Sequence, residues 1–189
     1  MKTLMRLLGW IALMGLAAPA LAGSVQPLNA VGAGSVTSPG GSGCQFNPGL
    51  CVVTSSGTLT GDALGQATFT STLNILWSSA TPNGGGGFCA PASGTTTVTA
   101  AAGDVLALGE VGTVCEAGHT GTPVPHTFNG TYVICSQALG GAAESPCSAA
   151  FASTGRFASA SGAGNAAGGD DGNGNTQVNL SGTISGASN

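Results

Sequence analysis

Cysteine, histidine and carboxylate side chains carry most of the reactive chemistry of this chain, and their spacing limits what that chemistry is. The six cysteines are Cys44, Cys51, Cys89, Cys115, Cys135 and Cys147. They form no CxxC pair and have no histidine at ligand spacing, which argues against zinc and for a disulfide framework. Fifteen pairings are open to six cysteines. The expected one is sequential, Cys44–Cys51, Cys89–Cys115 and Cys135–Cys147, each bridge closing a local loop or hairpin. His119 and His126 stand near Glu116 and invite an acid–base or metal reading. The Gly and Pro residues between them describe an irregular, solvated loop instead. Asp171, Asn173 and Asn175 match the first half of a calcium loop. Thr176 stands where that loop needs Gly, and Gly182 where it needs a bidentate Glu. Residues 168–175 therefore fit a hairpin turn better than a metal site.

Other constellations are missing. The glycine run 84–87 has no lysine and no helical pattern behind it, so it is not a phosphate loop. No G-x-S-x-G nucleophile elbow occurs. The paired carboxylates of glycoside cleavage are limited to Asp170 with Asp171 and Glu110 with Glu116, without an aromatic platform nearby. No catalytic residue and no cofactor is expected.

The elements that must position these residues are strands. Residues 95–99 and 105–108 are strand-like runs that flank Ala102-Gly103-Asp104. Opposite residues of an antiparallel hairpin keep a constant index sum, and Cys89 with Cys115 shares the sum of Val98 with Leu106. This predicts one long hairpin with a disulfide at its open end. Pro91 lacks a ladder N–H, so a break or bulge is predicted there. Apolar residues on both faces near Leu106 and Leu108 predict a strand covered on both sides. Over residues 58–77, Leu59, Ala67, Phe69, Leu73, Ile75 and Trp77 alternate with Thr, Gln and Asn, which gives a strand with one buried face. A turn or bulge falls within 61–65, and Trp77 reads as core at the end of the apolar row. Asn129-Gly130 is a local turn signal. Residues 135–147 read as an inserted hairpin tip or short helical turn, and 176–185 as a last strand in which Val178, Leu180 and Ile184 alternate. The segment up to Gly43 has no sustained periodicity and reads as a flexible or loosely docked arm. No helical period is visible.

Lys2, Arg6, the apolar run 7–16 and Pro19-Ala20-Leu21-Ala22 read as an export leader cut near Ala22. The apolar run is too short to cross a bilayer, and no second one follows. The expected location is secreted, periplasmic or at the cell surface. Beyond the leader, Arg156 is the only Lys or Arg. Nucleic acid is excluded as a partner, because no cationic patch exists to displace condensed counterions. A surface built from Ser, Thr, Asn, Gln and Gly repels neighbours poorly, so sheet edges are expected to be closed, covered or paired.

Three stretches stand in order: Gly94-Thr-Thr-Thr-Val-Thr-Ala-Ala-Ala-Gly-Asp104 with Val105-Leu106, then Phe128-Asn-Gly-Thr-Tyr-Val-Ile134, then Ser153-Thr-Gly-Arg-Phe157 with residues 158–164. Leu180-Ser-Gly-Thr-Ile-Ser185 follows. This resembles the exported bacterial relatives of the allene oxide cyclase and dirigent barrels, over roughly residues 57–186. The departures are the insertion 135–147 and Ser153, where that family prefers Gly-Gly. The resemblance implies an all-β fold, a single antiparallel barrel of about eight strands, here stapled by disulfides; the alternative is a β-sandwich. The domain reading is a signal peptide over 1–22, a Gly/Ser/Pro-rich N-terminal arm with a Cys44–Cys51 loop over 23–56, and the barrel over 57–189. Plant relatives guide or cyclise hydrophobic intermediates inside the barrel, but none of their functional residues carries over. Arg156 lies in a matching motif and suits an acid or a strand-end carbonyl. The leading expectation is a non-catalytic exported barrel that binds a small apolar ligand or a partner surface. The alternatives are a structural envelope, surface or filament subunit that self-associates, and an isomerase or cyclase of the allene oxide cyclase type.

Overall fold

Alternation of inward and outward side chains runs through nine strands: β1 (Gln26–Val36), β2 (Leu50–Gly61), β3 (Gly65–Leu76), β4 (Thr81–Pro82), β5 (Phe88–Ala100), β6 (Val105–Glu116), β7 (His126–Ile134), β8 (Ala163–Asp170) and β9 (Asn175–Ile184). The computed structural model describes residues 24–36, 50–116, 118, 124–136, 147–148 and 151–188. Residues 1–22, expected to be a leader, and Cys44, His119 and Glu144 lie outside the described residues. The ladder order is β3-β2-β1-β9-β8-β7-β6-β5, and β3 pairs again with β5. All these pairings are antiparallel. Eight strands thus close into a barrel, and closure removes the edges that a weakly charged surface leaves unprotected. Strand β4 sits outside the ring on residues 88–89 of β5.

Several sequence expectations meet the structure here. The hairpin index sum holds from Cys89↔Cys115 to Val98↔Leu106, and the Cys89–Cys115 disulfide closes its open end. The register shows no slip at Pro91, contrary to the predicted break. That proline lies between the part of β5 paired with β3, which ends at Ala92, and the part paired with β4, which begins at Cys89. Neither strand needs an N–H from it. Cys135–Cys147 is the second disulfide. The expected third, Cys44–Cys51, includes a residue outside the described set.

The N-terminal arm is a correction. Residues 26–36 are a full barrel strand, paired with β9 on one side and β2 on the other. The barrel therefore begins at Gln26, not at 57. Only Leu28 and Ala30 are buried apolar anchors of β1, too few for a period to show. Two backbone ladders hold the strand instead, and these have no side-chain signature. The 58–77 run divides into two strands, β2 and β3, at the turn expected within 61–65, which falls at 62–64 with Gly65 at φ +65°. Asn129-Gly130 is not a turn but the middle of β7, paired on both sides.

The lower end of the barrel, where β1, β5 and β7 have Gln26, Ala100 and Ile134, is filled. Leu28, Leu59, Phe69, Val98, Leu106, Leu108, Tyr132, Leu180 and Ile184 are buried in it, and Leu64, Phe157 and Ala160 plug it. Arg156 latches this end. Its Nε lies 3.6 Å from Asp104 Oδ2, its Nη2 donates to the carbonyls of Ala63 and Leu64 at 3.4 and 3.5 Å, and its guanidinium lies 4.6 Å from the Phe157 ring centre. The acid that the sequence suggested is present, and the carbonyls belong to the β2–β3 turn. Gly155 precedes it at φ +58°, and a Cβ there would strike the Asp104 carboxylate. On the outside, Ser153 Oγ accepts from Ala107 N at 3.0 Å and Thr154 N donates to Val105 O at 2.8 Å. These bonds, with Cys135 N donating to Ala107 O at 2.8 Å, pair the edge of β6 beyond the end of β7.

Candidate functional site

The upper half of the barrel is hollow because its inward residues are small. Gly32 and Gly34 on β1, Ser55 on β2, Ser71 on β3, Ala92 and Gly94 on β5, Gly112 on β6, and Ala166 and Gly168 on β8 share the inward parity of the lower core. The result is a cavity of about 620 Å³ that opens at the end where Val36, Glu116, His126 and Asp170 stand. Its walls include Val53, Leu73, Ile75, Val114, Phe128 and Val178. Trp77, predicted as core, sits in the 3-10 turn after β3 and lines this upper end. Its indole N–H is buried without an acceptor among the described residues.

The deepest layer of the cavity is polar. Ser55 faces Ser71 across β2 and β3, and Ser71 faces Thr96 across β3 and β5. Thr96 opposes Leu108, so Glu110 is the next inward residue along β6. All four line the cavity. Three hydroxyls and one carboxyl thus form a continuous row across four neighbouring strands, facing Ala166 and Val178. Thr96 and Glu110 are 2 % and 4 % exposed. Burial pushes the Glu110 carboxyl up to about 7, and the Thr96 hydroxyl hydrogen bond pulls it back. A carboxyl beside hydroxyls in an apolar lumen can hold a hydrogen-bond donor, pair with a cation or move a proton.

At the rim, Glu116, His126, Asp170 and Thr176 are successive register partners. His126 Nδ1 lies 3.1 Å from Asp170 Oδ2, so this histidine starts a strand rather than floating in a loop. In the β8–β9 turn the candidate calcium ligand Asp171 accepts from Asn173 N at 2.8 Å, Asn175 N at 3.1 Å and Asn175 Nδ2 at 2.7 Å. These bonds, the Asn175 side chain first, hold the Asp171 carboxyl below the usual range. The geometry is that of a self-capped hairpin turn, and no group of three or more His, Cys, Asp or Glu that could hold a metal gathers among the described residues. Glu110 and Glu116 share one face of β6 six residues apart, about 20 Å at strand rise, too far for a glycosidase pair.

Sequence reasoning passed over Glu110 as a binding group, although the signal is present. It has the same parity as Leu106, Leu108 and Val114, which marks it as inward. Ser71 likewise interrupts the buried row of Phe69, Leu73 and Ile75. Fold and site together define a closed antiparallel barrel with a one-ended lumenal cavity and a polar floor. Comparison with family models, with curated proteins and with solved structures finds no match.

Proposed function

We propose that this chain is an exported barrel that binds a small, largely apolar ligand in its lumen without transforming it. The observation that carries the reading is the half-filled interior. The lower half is packed with Leu, Ile, Phe and Tyr, whereas nine inward positions above it are Gly, Ala or Ser by register, and Ser55, Ser71, Ala166 and Gly168 among them line the cavity. An eight-stranded barrel has room for side chains or for one small ligand, and this one divides its length between the two. Apolar walls with a few convergent polar groups are the usual make-up of small-molecule sites. The resemblance to dirigent-type barrels supports the same reading. Export is supported by the two disulfides, which persist in oxidising compartments. No helix among the described residues is long and apolar enough to cross a membrane. Filament assembly by strand exchange has less support, because β1 already occupies its place between β2 and β9.

The test is titration with N-phenyl-1-naphthylamine, which is uncharged at neutral pH, followed by fluorescence. One saturable site is expected, lost in Ala166→Phe and in Ser71→Leu, both of which fill the cavity while circular dichroism shows the barrel intact. No saturable binding, or binding unaltered in both folded variants, would sink the reading.

A further inference from the structure

Carboxylates stand at both ends of this barrel, Asp62 and Asp104 at the sealed end, but the single cation stands at one. Arg156, the only Lys or Arg outside the leader, is held at the sealed end by Asp104. The open end carries Asp170, Asp171 and Glu116 at its rim and Glu110 in the cavity floor. His126 is the one base described there, and it lies against Asp170. No arginine or lysine of the mature chain is left to neutralise Glu110. A low-dielectric lumen with carboxylates at rim and floor concentrates negative potential, which rejects carboxylates and phosphates. Ser55, Ser71, Thr96 and Glu110 supply oxygen acceptors in one row. An ammonium group offers three donors and no acceptor, and Trp77 and Phe128 supply aromatic faces that attract cations.

Building on lumenal binding, we propose that the ligand is an apolar amine, its ammonium seated on Glu110 with the Ser71 and Thr96 hydroxyls and its apolar body along Leu73, Phe128 and Val178. A buried charge is tolerated when paired and hydrogen-bonded, and this arrangement pairs the ligand with the one carboxyl in the floor. Pairing also sets a pH dependence. A proton on Glu110 competes with the ammonium, so affinity rises as pH passes upward through about 7. Thr96 on β5 does not titrate. Tyr132, the register partner of Glu110 on β7, is pushed up to about 12 by burial. Glu116 on β6 and His126 and Asp170 lie at the rim, and Asp104 and Arg156 at the far end.

The experiment displaces N-phenyl-1-naphthylamine from the leader-free protein with 4-phenylbutylamine, 4-phenylbutan-1-ol or 4-phenylbutyrate. At pH 8 the amine is expected to bind about tenfold or more tighter than the alcohol, and the carboxylate weakest, as one desolvated ion pair allows. Lowering pH from 8 to 5.5 weakens the amine by about thirtyfold, and this profile persists in His126→Gln. In Glu110→Gln the preference for amine over alcohol collapses. Thr96→Val, which keeps the carboxylate and the shape of the wall, lowers it less. An alcohol that matches the amine, or a preference that survives Glu110→Gln, overturns the proposal while leaving lumenal binding intact. If neither the naphthylamine nor any of the three compounds binds, both readings fall.

Discussion

Between about pH 4.5 and 7 the folded chain keeps a proton on Glu110 that the unfolded chain has released. The folded state binds more protons, so stability falls as pH rises through this window and levels above it. The shift corresponds to roughly 3 kcal/mol at full ionisation. Glu110→Gln should therefore flatten the profile. Urea unfolding of the parent should lose roughly 2–3 kcal/mol between pH 5 and pH 8, and the variant should lose little of that. A parent profile flat over this range would show that Glu110 is not buried as described. Tyr132 offers a second test at one atom. Its hydroxyl is buried without a partner among the described residues and points across Gly164 and Gly182, where an added Cβ would lie 2.7 and 2.5 Å from that oxygen. Tyr132→Phe keeps the ring and removes the stranded hydroxyl, so it should leave stability unchanged or raise it by about 1 kcal/mol, read from the urea midpoint at constant slope. Arg156→Ala acts at the other end. It strips a half-exposed ion pair and two carbonyl contacts, and a loss of roughly 1–2 kcal/mol is expected. Naphthylamine binding should be unaffected, because the latch is at the sealed end.

The β5–β6 hairpin is the element most fully legible in the chain. A constant index sum is a property of antiparallel pairing itself, so the disulfide partner of Cys89 follows once Val98 is set opposite Leu106. Its bridge closes a loop with a sequence separation of 26. Replacing both cysteines with serine should cost roughly 3–4 kcal/mol on the loop-entropy account, measured by thermal unfolding under non-reducing conditions. β1 was illegible for the opposite reason. Its stability lies in two ladders, to β2 and β9, and backbone hydrogen bonds do not depend on which small residue carries them. Asn129-Gly130 misled because a dipeptide that favours a turn in isolation is overruled when β6 and β8 hold both its edges.

Closure is a property of the whole molecule, and it gives β1 the role of last stave. Removing residues 24–36 would leave β2 and β9 with unpaired edges in a protein whose surface has little charge to keep neighbours away. The truncated chain is expected to form soluble multimers or to precipitate, whereas the parent elutes as one species in size-exclusion chromatography with light scattering. A truncated chain that stays monomeric would show that the ring closes without β1. Alternation, turn residues and cysteine spacing determined by themselves that the chain is all-β and that Cys89 faces Cys115. These follow from local periodicity, which is written in the order of residues. Only the tertiary structure decided that the strands close, that the small inward residues of six strands coincide at one end, and that Ser55, Ser71, Thr96 and Glu110 meet in one row. Ser55 and Glu110 are far apart in the chain, and register between non-adjacent strands is set when the ring closes, not by any one segment.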